Sequence, residues 1–351
     1  MTVELANGLT WSDGSTSPRV VVTDAQGFAA IVGVRAPTAG GTYLVRGSWS
    51  GQTASAEVQV TSDAAAGQAT AITDGVVVTT FPSVPAGSRS IGENYYLSGG
   101  DLYFEDAQID SGVTSAAGYR RGASAGAAVY YVKGDQSFYR EGSGAPQTLL
   151  SSGAAGGVVV GGRFLLVDGS LFFGADLLGT GVTSASGFPG FVPREFVDFI
   201  DGDGAHTVGP EENPVYRADY PAVPRTATAL AAGYFLDGGD LWYNNTFVSS
   251  GVSSAVAHNS ADGGADAVTY VKNGIASYEE RLYQVQTVNL TYPGVPSGAT
   301  ALAARYWLDG STLYFRENVV LTDVASADGF VSGGTPGELA SVFRITDSCT
   351  F

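Results

Sequence analysis

Three carboxylates and an imidazole lie close together in the stretch DFIDGDGAHT: Asp198, Asp201, Asp203 and His206. An Asp-Gly-Asp-Gly turn can direct two carboxylates onto one hard cation such as Ca²⁺, which takes oxygen ligands. An EF-hand loop would add a third acid at the next alternate position and a glutamate twelve residues along, and neither is present. The same residues therefore also read as a solvated turn, and turns of this composition are common. A second candidate is Trp242-Tyr243-Asn244, where two aromatic faces sit beside an amide. Sugars stack on such faces and bond to such amides, provided the strand end is exposed. Packing of the two rings in a core is the competing reading. The only other histidine, His258, occupies a position filled elsewhere in the chain by Tyr119, Phe188 and Phe330, which marks it as a structural replacement. The acids Asp101, Asp237, Asp240 and Asp309 recur in turns at a fixed interval, as turn geometry requires. Hydrolysis of a glycosidic bond needs two acids converging on one site, and no such pair is legible. No nucleophile elbow, P-loop or dinucleotide fingerprint occurs at a strand–helix junction. No cofactor is implied beyond a Ca²⁺ on Asp198, Asp201 and Asp203.

The elements that carry these residues are short strands arranged in a repeat. YYLSGGDLYF, FLLVDGSLFF, YFLDGGDLWY and YWLDGSTLYF are four versions of one hairpin. Aligned on Leu102, Leu171, Leu241 and Leu313, they lie 69, 70 and 72 residues apart. Eleven residues further on stands a valine each time, Val113, Val182, Val252 and Val324, within GVTSAAGY, GVTSASGF, GVSSAVAH and DVASADGF. Looser matches begin at Val129, Val197, Val268 and Val342. The markers FPSVP, YPAVP and YPGVP precede three of the hairpins, and LLSSGAAGGVVVGG stands at the fourth junction. Each unit of about 70 residues divides into two sets of four strands. Four-stranded sheets repeated in series are the signature of a β-propeller. The expected fold is therefore all-β, with about eight small blades in four double-blade repeats over residues 72–351. A seven-bladed ring with one degenerate blade is the alternative. The last unit lacks an outer strand, and GVVVTTFPSVP (residues 75–85) would supply it from the other end of the chain. Such closure removes exposed sheet edges.

The pattern ATALAARYWLDGSTLYF resembles the blades of tectonin-like propellers and of the regulator-of-chromosome-condensation type, over residues 75–351. The Trp-Gly that usually follows the aromatic residue is replaced here by YFED, FFGA, WYNN and YFRE. The resemblance implies a fold and no particular activity. Residues 1–61 differ in character. TAGGTYLVRGSWSGQTASAEVQV resembles the last two strands of small bacterial Ig-like domains, which implies an N-terminal β-sandwich with Trp11 and Trp49 as core anchors. The Ala- and Gly-rich segment 62–71 then reads as a linker.

The net charge is −17, with lysine only at Lys133 and Lys272, so nucleic acid is not an expected partner. The single cysteine, Cys349, can form no internal disulfide. The opening MTVELANGLTW has neither a basic n-region nor an apolar h-region, so synthesis in a cytosol without export is expected. No apolar run reaches membrane-spanning length, and membrane insertion is not expected. The sequons at Asn244 and Asn289 mean little without export. An Ig-like module joined to a closed propeller, in a Gly-, Ala-, Thr- and Val-rich and Lys-poor chain, is similar to external components of phage particles. That resemblance implies a non-enzymatic virion protein. It would contact other virion proteins through the Ig-like domain and host-surface glycan or protein through the propeller. The alternatives are a cellular protein-interaction scaffold and a propeller glycan hydrolase.

Overall fold

Tyr234 pairs with Tyr243 and Leu236 with Leu241 across a two-residue turn made by Gly238 and Gly239, both at positive φ. Two successive positive φ values match the right-handed twist of the flanking strands, which is why glycine occupies both places. A computed structural model of the chain describes residues 2–5, 10–11, 15–20, 34–35, 41–49, 52–60, 67–120, 126–144, 147–150, 153–189, 194–212, 214–259, 265–282, 286–332 and 337–345. The chain divides into two units, the larger being Gly67–Thr346.

The larger unit is an eight-bladed β-propeller. Its blades are four-stranded antiparallel sheets over residues 89–110, 113–150, 158–179, 184–220, 228–249, 252–292 and 300–321, here blades 1 to 7. Blade 8 takes its inner strands from Val324–Ser332 and Gly337–Ile345 and its outer strands from Gly67–Thr73 and Val76–Phe81. Odd-numbered blades are small, with four-residue outer strands, and each is bulged between its third and fourth strands, at Leu102/Tyr103, Leu171/Phe172, Leu241/Trp242 and Leu313/Tyr314. Even-numbered blades are larger. The ring thus has eight blades and not seven.

The core lies between blades. Among the described residues, buried apolar side chains form eight clusters, one at each seam. The cluster that closes the ring joins Ala69, Ala71, Phe81 and Phe343 of blade 8 to Tyr96 and Tyr103 of blade 1. A sheet of this size cannot cover its own two faces, so each blade is folded only against its neighbours. A serine clasp repeats with the blades. Ser115, Ser184, Ser254 and Ser326 each accept a hydrogen bond at 2.9 Å from the inner strand of the following small blade, from the N–H of Val159, Ala229, Ala301 and Ser90 respectively. The last of these links the C-terminal repeat to the N-terminal one.

Three expectations are corrected. Gly67–Ala71 do not form a linker; they belong to the third strand of blade 8, with Ala69 and Ala71 buried. Blade 8 therefore borrows two strands from the front of the chain, not one, and the ring begins at residue 67 and not 72. The match beginning at Val342 is two residues out of step. Val129 pairs with Gly118, Val197 with Gly187 and Val268 with Ala257, but Gly329 pairs with Ala340. Glycine is needed at Gly118 and Gly329 because a Cβ on Gly118 would lie 2.3 Å from the Gly92 carbonyl oxygen, and one on Gly329 would lie 2.1 Å from that of Ala303; the third repeat has Ala257 at this place.

In the smaller unit, the described strands form one four-stranded sheet, in which Thr2–Leu5 pairs with Arg19–Val20 and Gly41–Trp49, and Gly41–Trp49 pairs with Gln52–Val60. A separate pair joins Thr10–Trp11 to Val34–Arg35. An Ig-like sandwich is not evident in these strands. The side chains of Trp11 and Trp49, residues 62–66 and Cys349 lie outside the described residues.

Candidate functional site

The polar groups of the ring gather where each small blade meets the large blade after it. Each of these four corners starts from a pair of rings on adjacent strands: Tyr95–Phe104, Phe164–Phe173, Tyr234–Tyr243 and Tyr306–Phe315, with centroids 4.6, 5.0, 4.8 and 4.8 Å apart. In three of the four a guanidinium lies over one of these rings, and at each corner a guanidinium is bonded to a buried carboxylate. In the first repeat Arg120 donates to Glu93 from Nε at 3.2 Å and from NH2 at 3.0 Å. In the second, Arg163 donates to Glu195 through Nε at 2.9 Å and through its backbone N–H at 2.7 Å, and it also bonds Glu211. In the third, Arg281 bonds Glu279 at 2.7 Å and covers Tyr243 at 4.5 Å, while the Tyr243 hydroxyl donates to Asp266 at 2.6 Å. In the fourth, Arg305 bonds Glu338 and lies over Tyr278, and Arg316 covers Phe315 at 4.9 Å.

The guanidinium comes from different strand positions in different repeats, yet the pair is rebuilt each time. Glu195 is fully buried and Glu93 nearly so. Burial pushes the Glu93 carboxyl up, while the bonded Arg120 pulls it back. A buried charge of this kind persists only with a bonded partner of opposite sign. The corners hold blades together: their acids face arginines, not one another across a gap where a substrate could sit.

The sequence candidates fall elsewhere. Asp198 is buried facing blade 5; its Oδ2 accepts from the Gly233 N–H at 2.6 Å and its Oδ1 from the Thr207 hydroxyl. Thr207 in turn accepts from Tyr220 at 3.0 Å. Burial pushes the Asp198 carboxyl up to about 7 against these hydrogen bonds. Asp201 lies on the opposite face of the sheet, where its Oδ1 takes the Asp203 N–H at 2.8 Å and the His206 ring at 3.0 Å. Against the upward push of partial burial, those bonds hold Asp201 below the usual carboxylate range. Asp203 is exposed in the turn. The three carboxylates are therefore not brought onto one point. His206 is clamped between Asp201 and Asp219, with its Nδ1 at 2.7 Å from Asp219, and packs on Phe199.

Trp242 is partly buried in the seam between blades 4 and 5, and Tyr243 is buried between blades 5 and 6. Asn244 sits at φ 52° in a turn, its N–H bonded to the Gly233 carbonyl at 2.7 Å. The core reading thus holds for Tyr243 and for most of Trp242. His258 packs on Tyr278, and neither ring nitrogen has a hydrogen-bond partner. Burial, aided by the Arg305 charge, pushes its pKa down to about 3, so the ring stays neutral. Sequence reasoning missed the serine clasp, although a serine stands two residues after the aligned valine in every repeat. It also missed the charged corners, which carry no constant position to align.

No protein-family model and no curated protein matches the chain. Among solved structures, one similar chain is a structural genomics protein of unknown function from Bacteroides thetaiotaomicron VPI-5482. It is 8% identical, with a TM-score of 0.38, over 98% of this chain and 90% of that one. The eight-bladed architecture rests on the strand pairing itself, and this likeness adds no argument about function.

Proposed function

We propose that this protein is a non-catalytic recognition module in which the rim of the propeller binds a surface glycan, as an external component of a phage or phage-like particle. The observation that carries the recognition reading is a repeated exposure of apolar side chains. Leu177, Phe247 and Val319 occupy equivalent places on the outermost strands of blades 3, 5 and 7 and are 56%, 50% and 57% exposed. Folding alone gives no reason to keep large apolar groups there in three repeats of four; the first repeat has Gln108. On blade 5 the exposed ring of Phe247 meets Trp242 edge-on at 5.6 Å, and Asn245 stands beside them in the turn. An aromatic face with an adjacent amide suits the apolar face and hydroxyls of a sugar. This moves the sequence candidate from Tyr243 and Asn244 to Trp242 and Phe247.

The non-catalytic reading is supported by the use of the corner acids in holding blades together. The place on a particle is supported by composition and by the resemblance of the N-terminal segment. A glycan array with the full chain, repeated on intact bacterial cell walls, tests the proposal. Saturable binding is expected, weakened about ten-fold in Phe247→Ala, as loss of one stacking contact implies. Binding unchanged in that variant sinks the site assignment. No binding to either substrate sinks the glycan reading and favours a protein scaffold. The particle assignment fails if the chain does not co-sediment with purified particles of its source.

A further inference from the structure

The seam that closes the ring differs from its three counterparts. In those, two rings of the large blade pack on each other beside the next small blade. Tyr119 meets Tyr139 at 6.3 Å in blade 2, Phe188 meets Phe196 at 5.9 Å in blade 4, and His258 meets Tyr278 at 6.2 Å in blade 6. Strand pairing places Ala71 at the position of Tyr139 and Tyr278: Tyr139 pairs with Tyr130, Tyr278 with Thr269, and Ala71 with Ser341. In blade 8 Phe330 has no second ring at that place, and a cleft of about 340 Å³ opens beside it, lined also by Ala71, Phe81, Leu339, Thr79, Asn94 and Glu105. That volume is within the range of small-molecule sites.

The charge at the rim is reversed as well. Equivalent turns bring together Arg305 and Arg316 in blade 7, where the Arg316 N–H bonds the Arg305 carbonyl, and Asn94 and Glu105 in blade 1, where the Glu105 N–H bonds the Asn94 carbonyl. In the seam between blades 6 and 7 the Arg305 guanidinium lies 5.2 Å from the centre of the Tyr278 ring. The closing seam lacks both that ring and that cation, and carries a carboxylate at its mouth.

We propose that this cleft binds a small aryl amine, whose ring takes the volume that tyrosine fills in two other seams and whose ammonium group pairs with Glu105. The Asn94 and Thr79 side chains add hydrogen-bonding capacity at the rim. Phe330 offers the apolar wall against which the ring packs. The inference is independent of the rim site proposed for glycan, since it lies on a different seam and uses none of the same residues.

The test is thermal stability and calorimetric titration of the full chain at pH 7 with tyramine, p-cresol and 4-hydroxyphenylacetate. Tyramine is expected to bind saturably, about ten-fold or more tighter than 4-hydroxyphenylacetate, with p-cresol between them, as one charge contact implies. Ala71→Tyr, which supplies the missing ring, is expected to abolish binding while keeping the circular dichroism of the parent. Glu105→Gln alters an exposed turn side chain and is expected to bring tyramine and 4-hydroxyphenylacetate to within about two-fold of each other, since only the charge preference is removed. Absence of saturable tyramine binding, equal affinity for all three compounds, or parent-like binding in a folded Ala71→Tyr overturns the proposal. Should Ala71→Tyr not fold, the Glu105→Gln arm decides, and an unchanged tyramine preference in it is overturning.

Discussion

Asp198 shows how a single residue can be conspicuous in the sequence for one reason and placed in the structure for another. As part of an Asp-rich stretch it suggests a cation. In the fold it is a buried acid that spans two blades, accepting hydrogen bonds from Gly233 and Thr207. Its strand alternates sides with a period of two, so Asp198 and Asp201, an odd number of residues apart, face opposite ways. That much follows from the spacing, but only once the stretch is known to be a strand through Ile200. The pH dependence follows from its raised pKa of about 7. An acid held above its unfolded value binds its proton more tightly in the native state, so its contribution is favourable below about pH 4 and is lost as the pH rises towards 7. The full effect is of the order of 4 kcal/mol. Asp198→Asn is expected to remove this fall. Denaturant melts at pH 5 and pH 8 should show a smaller stability difference in the variant than in the parent. An equal difference in both proteins would show that Asp198 does not set it.

At the scale of elements, the turn that follows each small inner strand is made from different residues in each repeat. Gly92 and Gly161 adopt φ 95° and 107°, and Ala231, at the same place in the third repeat, adopts φ 121°. A residue with a Cβ is strained there. The same repeat has Ala257 where Gly118, Gly187 and Gly329 stand in the others. Ala231→Gly is therefore expected to raise stability by about 1 kcal/mol, read as a rise in the denaturation midpoint with an unchanged m-value. A fall would show that the Ala231 methyl group, buried between blades 5 and 6, is worth more than the strain. The strand Gly67–Thr73 was hidden in the sequence for a related reason. Its small residues Ala69 and Ala71 read locally as linker composition, although both side chains are buried in blade 8. The serine clasp was legible as a repeated letter, but its role depends on which neighbouring N–H the fold brings to it.

At the scale of the molecule, the ring stays closed because blade 8 is assembled from both ends of the described chain. Val342 and Ala340 of its second strand pair with Thr70 and Ile72, and Phe343 packs with Tyr96 across the closing seam. Removing residues 1–81 takes away both outer strands of blade 8 and uncovers Phe343. Such a chain is expected to lose its single cooperative thermal transition, whereas a chain lacking residues 1–66 keeps all 32 strands of the ring and its transition. Adding a peptide of residues 67–81 in trans should restore the transition. A parent-like melt without these strands would show that closure is not what stabilises the ring.

The amino-acid sequence alone determined the all-β class, the repeat, its interval of about 70 residues and the borrowing of a front segment to close the ring, because each depends on local alternation and on letters that recur. Tertiary structure alone decided which buried groups meet. The arginine that neutralises each corner acid comes from whichever position reaches it, and a seam joins residues as far apart as Asn94 and Ser341. Contacts across seams are set by distance in space, and no spacing along the chain encodes them. For the same reason the cleft at the closing seam is invisible in the sequence: Ala71 is an ordinary alanine until the ring places it where two other seams carry a tyrosine.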